Sequence, residues 1–138
     1  IYVRNHTSEG TFRAVIPDLD RIRALGTDII WLMPIHPIGV EGKKGTLGCP
    51  YANRDYRAVN PAYGTMEDFE ALVREIHARG MKCMIDVVYN HTSPDSVLYR
   101  EHPEYFYTAG PTASRATSSA TGPTSSTWTT PTAGFGNI

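Results

Sequence analysis

Apolar side chains recur at Phe12, Val15, Ile16, Leu19, Ile22 and Leu25, a stripe with the 3.6-residue period of a helix. Gly26 is placed to close that helix. Pro17 lies inside the stripe, so the helix either starts there or bends there. "TDIIWLM" (residues 27–33) follows as a nearly continuous apolar run, the pattern of a parallel strand covered on both faces. A long Gly- and Pro-rich loop runs from Pro34 to Gly64. Thr65 then opens a second helix: its hydroxyl is placed to cap the first turn, and Asp68 three residues on resembles the return half of a capping box. Phe69, Leu72, Val73 and Ile76 form its apolar stripe, Gly80 ends it, and residues 82–89 read as the next strand. Tyr2 and Val3 make a short first strand.

The two halves of this pattern echo one another. Leu19, Ile22 and Gly26 stand before "TDIIWLM" as Val73, Ile76 and Gly80 stand before "MKCMIDVV". The predicted order is strand–helix–strand–helix–strand, and short returns of this kind build right-handed parallel units. Such units belong to an α/β architecture, either a barrel or a doubly wound sheet. In both, polar groups at the C-terminal ends of strands face the ligand site. Asn90 and His91 fall at such an end. Asp86 lies deeper in an apolar run and needs a hydrogen-bonding or cationic partner, because a lone buried carboxylate is costly.

Composition narrows the partners. The 138 residues carry 13 Lys plus Arg and 14 Asp plus Glu, a net charge of −1. That balance makes no electrostatic case for nucleic acid or an anionic membrane surface, and a neutral ligand fits it. Cys49 and Cys83 share no CxxC pattern, so neither a disulfide framework nor a zinc site is suggested. No stretch is long and apolar enough to cross a bilayer as a helix. The first residue is Ile rather than Met, without the pattern of a signal peptide, which leaves the start open to processing and the compartment unassigned.

"DVVYNH" (residues 86–91) resembles the first conserved signature of the alpha-amylase family of glycoside hydrolases, at the end of that family's third barrel strand. "LGTDIIWLMPI" (25–35) is similar to its second strand. "GCPYANRDYRAVNPAYGTMEDFEALVREIHARGMKCMID" (48–86) resembles the segment between them. Three pieces in order are far more specific than one motif. The resemblance covers about residues 1–107 and implies the N-terminal portion of a (βα)8 TIM barrel, retaining chemistry and alpha-1,4-glucan or malto-oligosaccharide substrates such as starch. It implies that His91 hydrogen-bonds the sugar at the cleavage subsite, that Tyr51 stacks on the same sugar, that Asp86 braces the site, and that Asn90 is a calcium ligand. A phenol ring does offer a flat apolar face with a polar handle, and an Asn carbonyl is a hard oxygen suited to calcium. His36, after a strand end, is a further candidate for the same mouth, with a plain loop histidine as the alternative. Asp55 is placed with Asp86 as structural support.

The pattern departs from the family after residue 107. Retaining hydrolysis needs a carboxylate nucleophile and a carboxylic acid about 5 Å apart. The resemblance puts these on the fourth and fifth strands, and after Glu104 the sequence holds no acidic residue. The expectation is a truncated chain without the catalytic pair, weakly active or inactive. The alternatives are a non-catalytic carbohydrate-binding or interaction module, or a small hydrolase drawing on Asp28, Asp55, Asp86 or Asp95. A partial barrel would also leave strand edges unpaired, so self-association or aggregation is expected.

Residues 108–138 are a different kind of text, rich in Thr, Ser, Ala and Gly, with Arg115 their only charge. At face value they are low-complexity and disordered. A one-base slip of the reading frame near Tyr107 is the other reading. Decoded that way the tail contains "GDWTDVIDLDY", similar to what the alpha-amylase family carries after its first signature. Sequencing the encoding DNA separates the two. His6, His77 and His102 form no constellation, and "GVEGKKGT" (39–46) does not satisfy a phosphate-loop pattern.

Overall fold

The computed structural model describes residues 1–106 and the backbone of 126–127. Residues beyond 106 carry the low-complexity and frameshift readings, which otherwise lie outside the described residues. The chain forms two compact units, one of Ile1–Pro37 with Tyr56–Val87, the other of Ile38–Asp55 with Val88–Ile138.

The first unit is built on apolar stripes. The stripe that begins at Phe12 is one face broken into three pieces: helix α2 (Phe12–Val15), a 3-10 turn (Ile16–Asp18) and helix α3 (Leu19–Ala24), preceded by a single turn, α1 (Val3–His6). Pro17 sits in the first turn of the 3-10 segment that separates α2 from α3, a position where its missing N–H is tolerated. Phe12, Val15, Leu19 and Ile22 all point inward regardless of the break. Thr11 Oγ1 accepts from Ala14 N at 3.3 Å and caps α2. Gly26 follows α3 with φ +87°, a conformation that favours glycine.

Helix α4 (Met66–Ala78) begins with the capping box read from sequence: Thr65 Oγ1 accepts from Asp68 N and Asp68 Oδ2 accepts from Thr65 N. Asp68 also takes the Arg13 guanidinium at 2.6 Å, which ties α2 to α4. Arg79, one residue past α4, reaches Asp20 at 2.7 Å and Glu75 at 2.6 Å. Ala71, Leu72 and Ile76 are the buried face of α4.

Strands β1 (Ile29–Leu32) and β2 (Lys82–Ile85) pair in parallel, with Ile29 opposite Lys82 and Leu32 opposite Ile85. The crossover between them contains α4. Both strands are shorter than the apolar runs that announce them. The expectation of cover on both faces also needs correction. Ile30 and Leu32 are buried, whereas Ile29 and Trp31 are 52% and 56% exposed and Met84 is 46% exposed. Every helical stripe of this unit meets the same side of the ribbon.

Tyr2 and Val3 do not form a first strand. Ile1 alone lies along β1, its ammonium donating to Trp31 O at 2.5 Å and its carbonyl accepting from Met33 N at 2.8 Å. The backbone then turns into α1 from an extended Tyr2. The described order therefore opens on helices and continues β1–α4–β2.

The described residues of the second unit are mostly turns and loops. The unit contains β3 (His91–Thr92), helix α5 (Val97–Glu101), a 3-10 turn (Pro103–Tyr105) and β4 (Ser126–Thr127), which pairs antiparallel with β3. Asn90 and His91 are thus not the tip of β2, which ends at Ile85. His91 opens a separate short strand.

Candidate functional site

Asp86 follows β2 directly. Its N–H donates to Leu32 O at 2.8 Å, one more rung of the parallel ladder, and its side chain is partly buried. It stands where a parallel sheet presents side chains to a ligand. His36 lies in the same unit beyond the end of β1 and is only 9% exposed. Its Nδ1 donates to Ala58 O at 3.0 Å, and its ring meets Tyr56 edge-on at 5.7 Å between centroids. Asn60 N, nearby, donates to Ile35 O at 2.7 Å. His36 is therefore a packed, oriented imidazole.

Tyr51, Asp55, Asn90 and His91 belong to the second unit. Tyr51, Asp55 and His91 are partly buried and Asn90 is exposed. The Asn90 side-chain amide nitrogen lies 3.4 Å from His91 Nδ1. Calcium requires six to eight oxygen ligands. Among the described residues no group of three or more His, Cys, Asp or Glu is gathered to hold a metal, and the Asn90 amide faces an imidazole. The Asn90 side chain offers one carbonyl oxygen of the six to eight that calcium takes.

Two stretches far apart in sequence are joined in this unit, one carrying Tyr51 and the other His91. Ile38 bridges Asn53, and Gly39 N donates to Ala52 O at 2.9 Å. Asn53 O accepts from Ser93 N at 2.9 Å and from the Thr92 hydroxyl. Arg54 O accepts from Val97 N at 2.8 Å. Below these bonds lies a buried polar layer of Asn53, Thr92, Ser93, Asp95 and Ser96.

Asp95 is the hub of that layer. Its Oδ2 accepts from Val40 N at 3.1 Å and faces Arg54 Nε at 3.4 Å, and its Oδ1 accepts from the Ser93 hydroxyl. Burial raises the carboxyl pKa. The bonds from Ser93, Val40 N and its own N–H, with the Arg54 charge, outweigh burial and hold it below the ordinary carboxylate range. Ser96 caps α5, accepting from Tyr99 N at 3.0 Å. In the sequence Asp95 stands only as one acid among several. "TSPDS" (92–96) carries turn and cap residue types, but nothing in it points to Val40 or Arg54.

Comparison with known proteins fits this geometry. The alpha-amylase catalytic domain model matches residues 3–129. A crystal structure of an alpha-amylase from Lactobacillus plantarum superposes with TM-score 0.78 at 59% identity, covering 80% of this chain and 26% of that one. The maltogenic alpha-amylase AmyB of Thermotoga neapolitana gives TM-score 0.75 at 41% identity, over 79% of this chain and 26% of that one. Among curated relatives, an alpha-1,4-glucan:maltose-1-phosphate maltosyltransferase of Chlorobaculum tepidum is 39% identical over 111 residues, 70% of this chain and 16% of its own length. A trehalose-6-phosphate hydrolase of Bacillus subtilis is 41% identical over 92 residues, 67% of this chain and 15% of its own length. The parallel β1–β2 pair with its crossover is part of a TIM barrel, and the chain belongs to the alpha-amylase family of glycosidases. It spans about a sixth of the length of these curated relatives.

Proposed function

We propose that this chain supplies sugar-recognition residues to an alpha-amylase-family site that acts on alpha-1,4-glucans by retaining chemistry. The observation that carries the reading is the joining of the Tyr51 stretch to the His91 stretch in one unit, within a sequence 59% identical to a solved alpha-amylase. Tyr51 stacks on a glucose ring, whose axial faces present C–H groups to the phenol. His91 hydrogen-bonds a sugar hydroxyl. His36, in the first unit with Nδ1 committed to Ala58 O, is a separate sugar-binding candidate. Asp86 and Asp55 brace the surrounding backbone and side chains. Retaining cleavage needs two carboxyl groups about 5 Å apart, and we assign neither role to a residue of this sequence. A non-catalytic carbohydrate-binding module is the second reading.

Calorimetric titration with maltotriose tests recognition. Binding is expected, weakened about tenfold by Tyr51→Ala and by His91→Ala, the loss of roughly 1.4 kcal/mol each. Indifference to both substitutions overturns the assignment. A reducing-sugar assay on starch separates enzyme from module. Turnover that vanishes in Asp86→Asn would place the catalytic machinery within these residues and refute this division of roles.

A further inference from the structure

We propose that Asp95 is a positioning residue for the sugar site, latching the loop that carries Tyr51 to the segment that carries His91. The proposal rests on the sugar-recognition reading of those two residues. The bonds of Asp95 go to neither of them, and it acts through the backbone. Val40 N–H belongs to the Tyr51 loop, Ser93 lies two residues after His91, and Arg54 lies three residues after Tyr51. One carboxylate thus collects three donors from both stretches, and it does so at 5% exposure.

Charge-assisted bonds to a buried carboxylate are stronger than neutral ones. Losing the charge leaves its donors poorly satisfied where water cannot replace the acceptor. Gly39 shows how closely the two stretches approach. A Cβ there would overlap the Ser93 side chain and come within 2.8 Å of Asp95 Oδ1. The loop can lie on this carboxylate only because residue 39 has no side chain. Stacking and hydrogen bonding to one sugar both depend on placement to within a fraction of an ångström. A latch that fixes the two backbones together therefore sets affinity without touching the ligand.

The experiment uses the full chain with two readouts, amide hydrogen exchange and maltotriose affinity. In Asp95→Asn, exchange at Val40 and Ser93 is expected to quicken by about tenfold or more, while the amides of Leu72 and Ile76 in α4 keep their protection. Maltotriose affinity is expected to fall about tenfold. Adding Tyr51→Ala to Asp95→Asn should cost far less than Tyr51→Ala costs alone, because the ring is already misplaced. Ser93→Ala, which removes one donor, should show the same changes at smaller size and covers the case in which Asp95→Asn does not fold. Unchanged exchange at Val40 and Ser93 overturns the latch. Quickened exchange with unchanged affinity, or strictly additive losses, overturns the positioning role and leaves sugar recognition standing. Wild-type chain that takes up no maltotriose overturns the recognition reading and the positioning role with it, and is seen before any substitution is made.

Discussion

The two units of this chain are held by different means. In the first, twelve buried apolar or aromatic side chains from α1–α4, β1 and flanking residues form one cluster, with Cys83 and Ile85 of β2 packed against it. In the second, the buried layer between the Tyr51 and His91 stretches is polar: Asn53, Thr92, Ser93, Asp95 and Ser96. The first is stabilised by area removed from water, which is non-directional and tolerant of small shifts. The second depends on directional bonds between groups that lose most of their value if displaced. A unit of the second kind is weaker as a scaffold and more exacting as a way to fix two loops. That division suits a family whose ligand contacts sit on loops carried by a rigid strand–helix frame.

The sharpest break of this comparison is Leu72→Ala. Leu72 is fully buried in the apolar cluster, so the cavity and lost transfer energy should cost about 2–5 kcal/mol. Chemical denaturation followed by tryptophan fluorescence measures it. A loss under about 1 kcal/mol would mean that the first unit is not packed around this side chain. Gly39→Ala comes next, at about 1–3 kcal/mol, the size expected of overpacking. Hydrogen exchange should locate its damage at Val40, Ser93 and Val97, with α4 spared. Uniform loosening of both units would erase the distinction between them. The smallest effect belongs to Trp31→Ser, on the uncovered side of β1, which should shift stability by less than about 0.5 kcal/mol. A large loss there would show that this face is covered in solution.

How much of this is legible in the sequence differs between the same two regions. The stripe from Phe12 to Ile22, the Thr65–Asp68 capping box and the glycines after α3 and α4 are all readable, because each depends on residues within a few positions of one another. The strand runs are readable in place but not in length or in cover. An apolar residue such as Trp31 reads the same whether or not another element lies against it. The Tyr2–Val3 pair reads as a strand and is not one, because two β-formers say nothing about the turn that follows. Asp95 is visible only as an acid in a loop, since its partners Val40 and Arg54 lie 55 and 41 residues away.

By itself the sequence determined the inward stripe from Phe12 to Ile22, the capped start and glycine-closed end of α4, and the family to which the chain belongs. Those properties are written in local spacing and in motif order. Only the tertiary structure decided which side of the β1–β2 ribbon is buried, that His36 is packed against Tyr56 and bonded to Ala58, and that one carboxylate draws the Tyr51 and His91 stretches together. These depend on where the chain returns in space, and a hydrogen bond between residues far apart in the chain leaves no periodic trace along it.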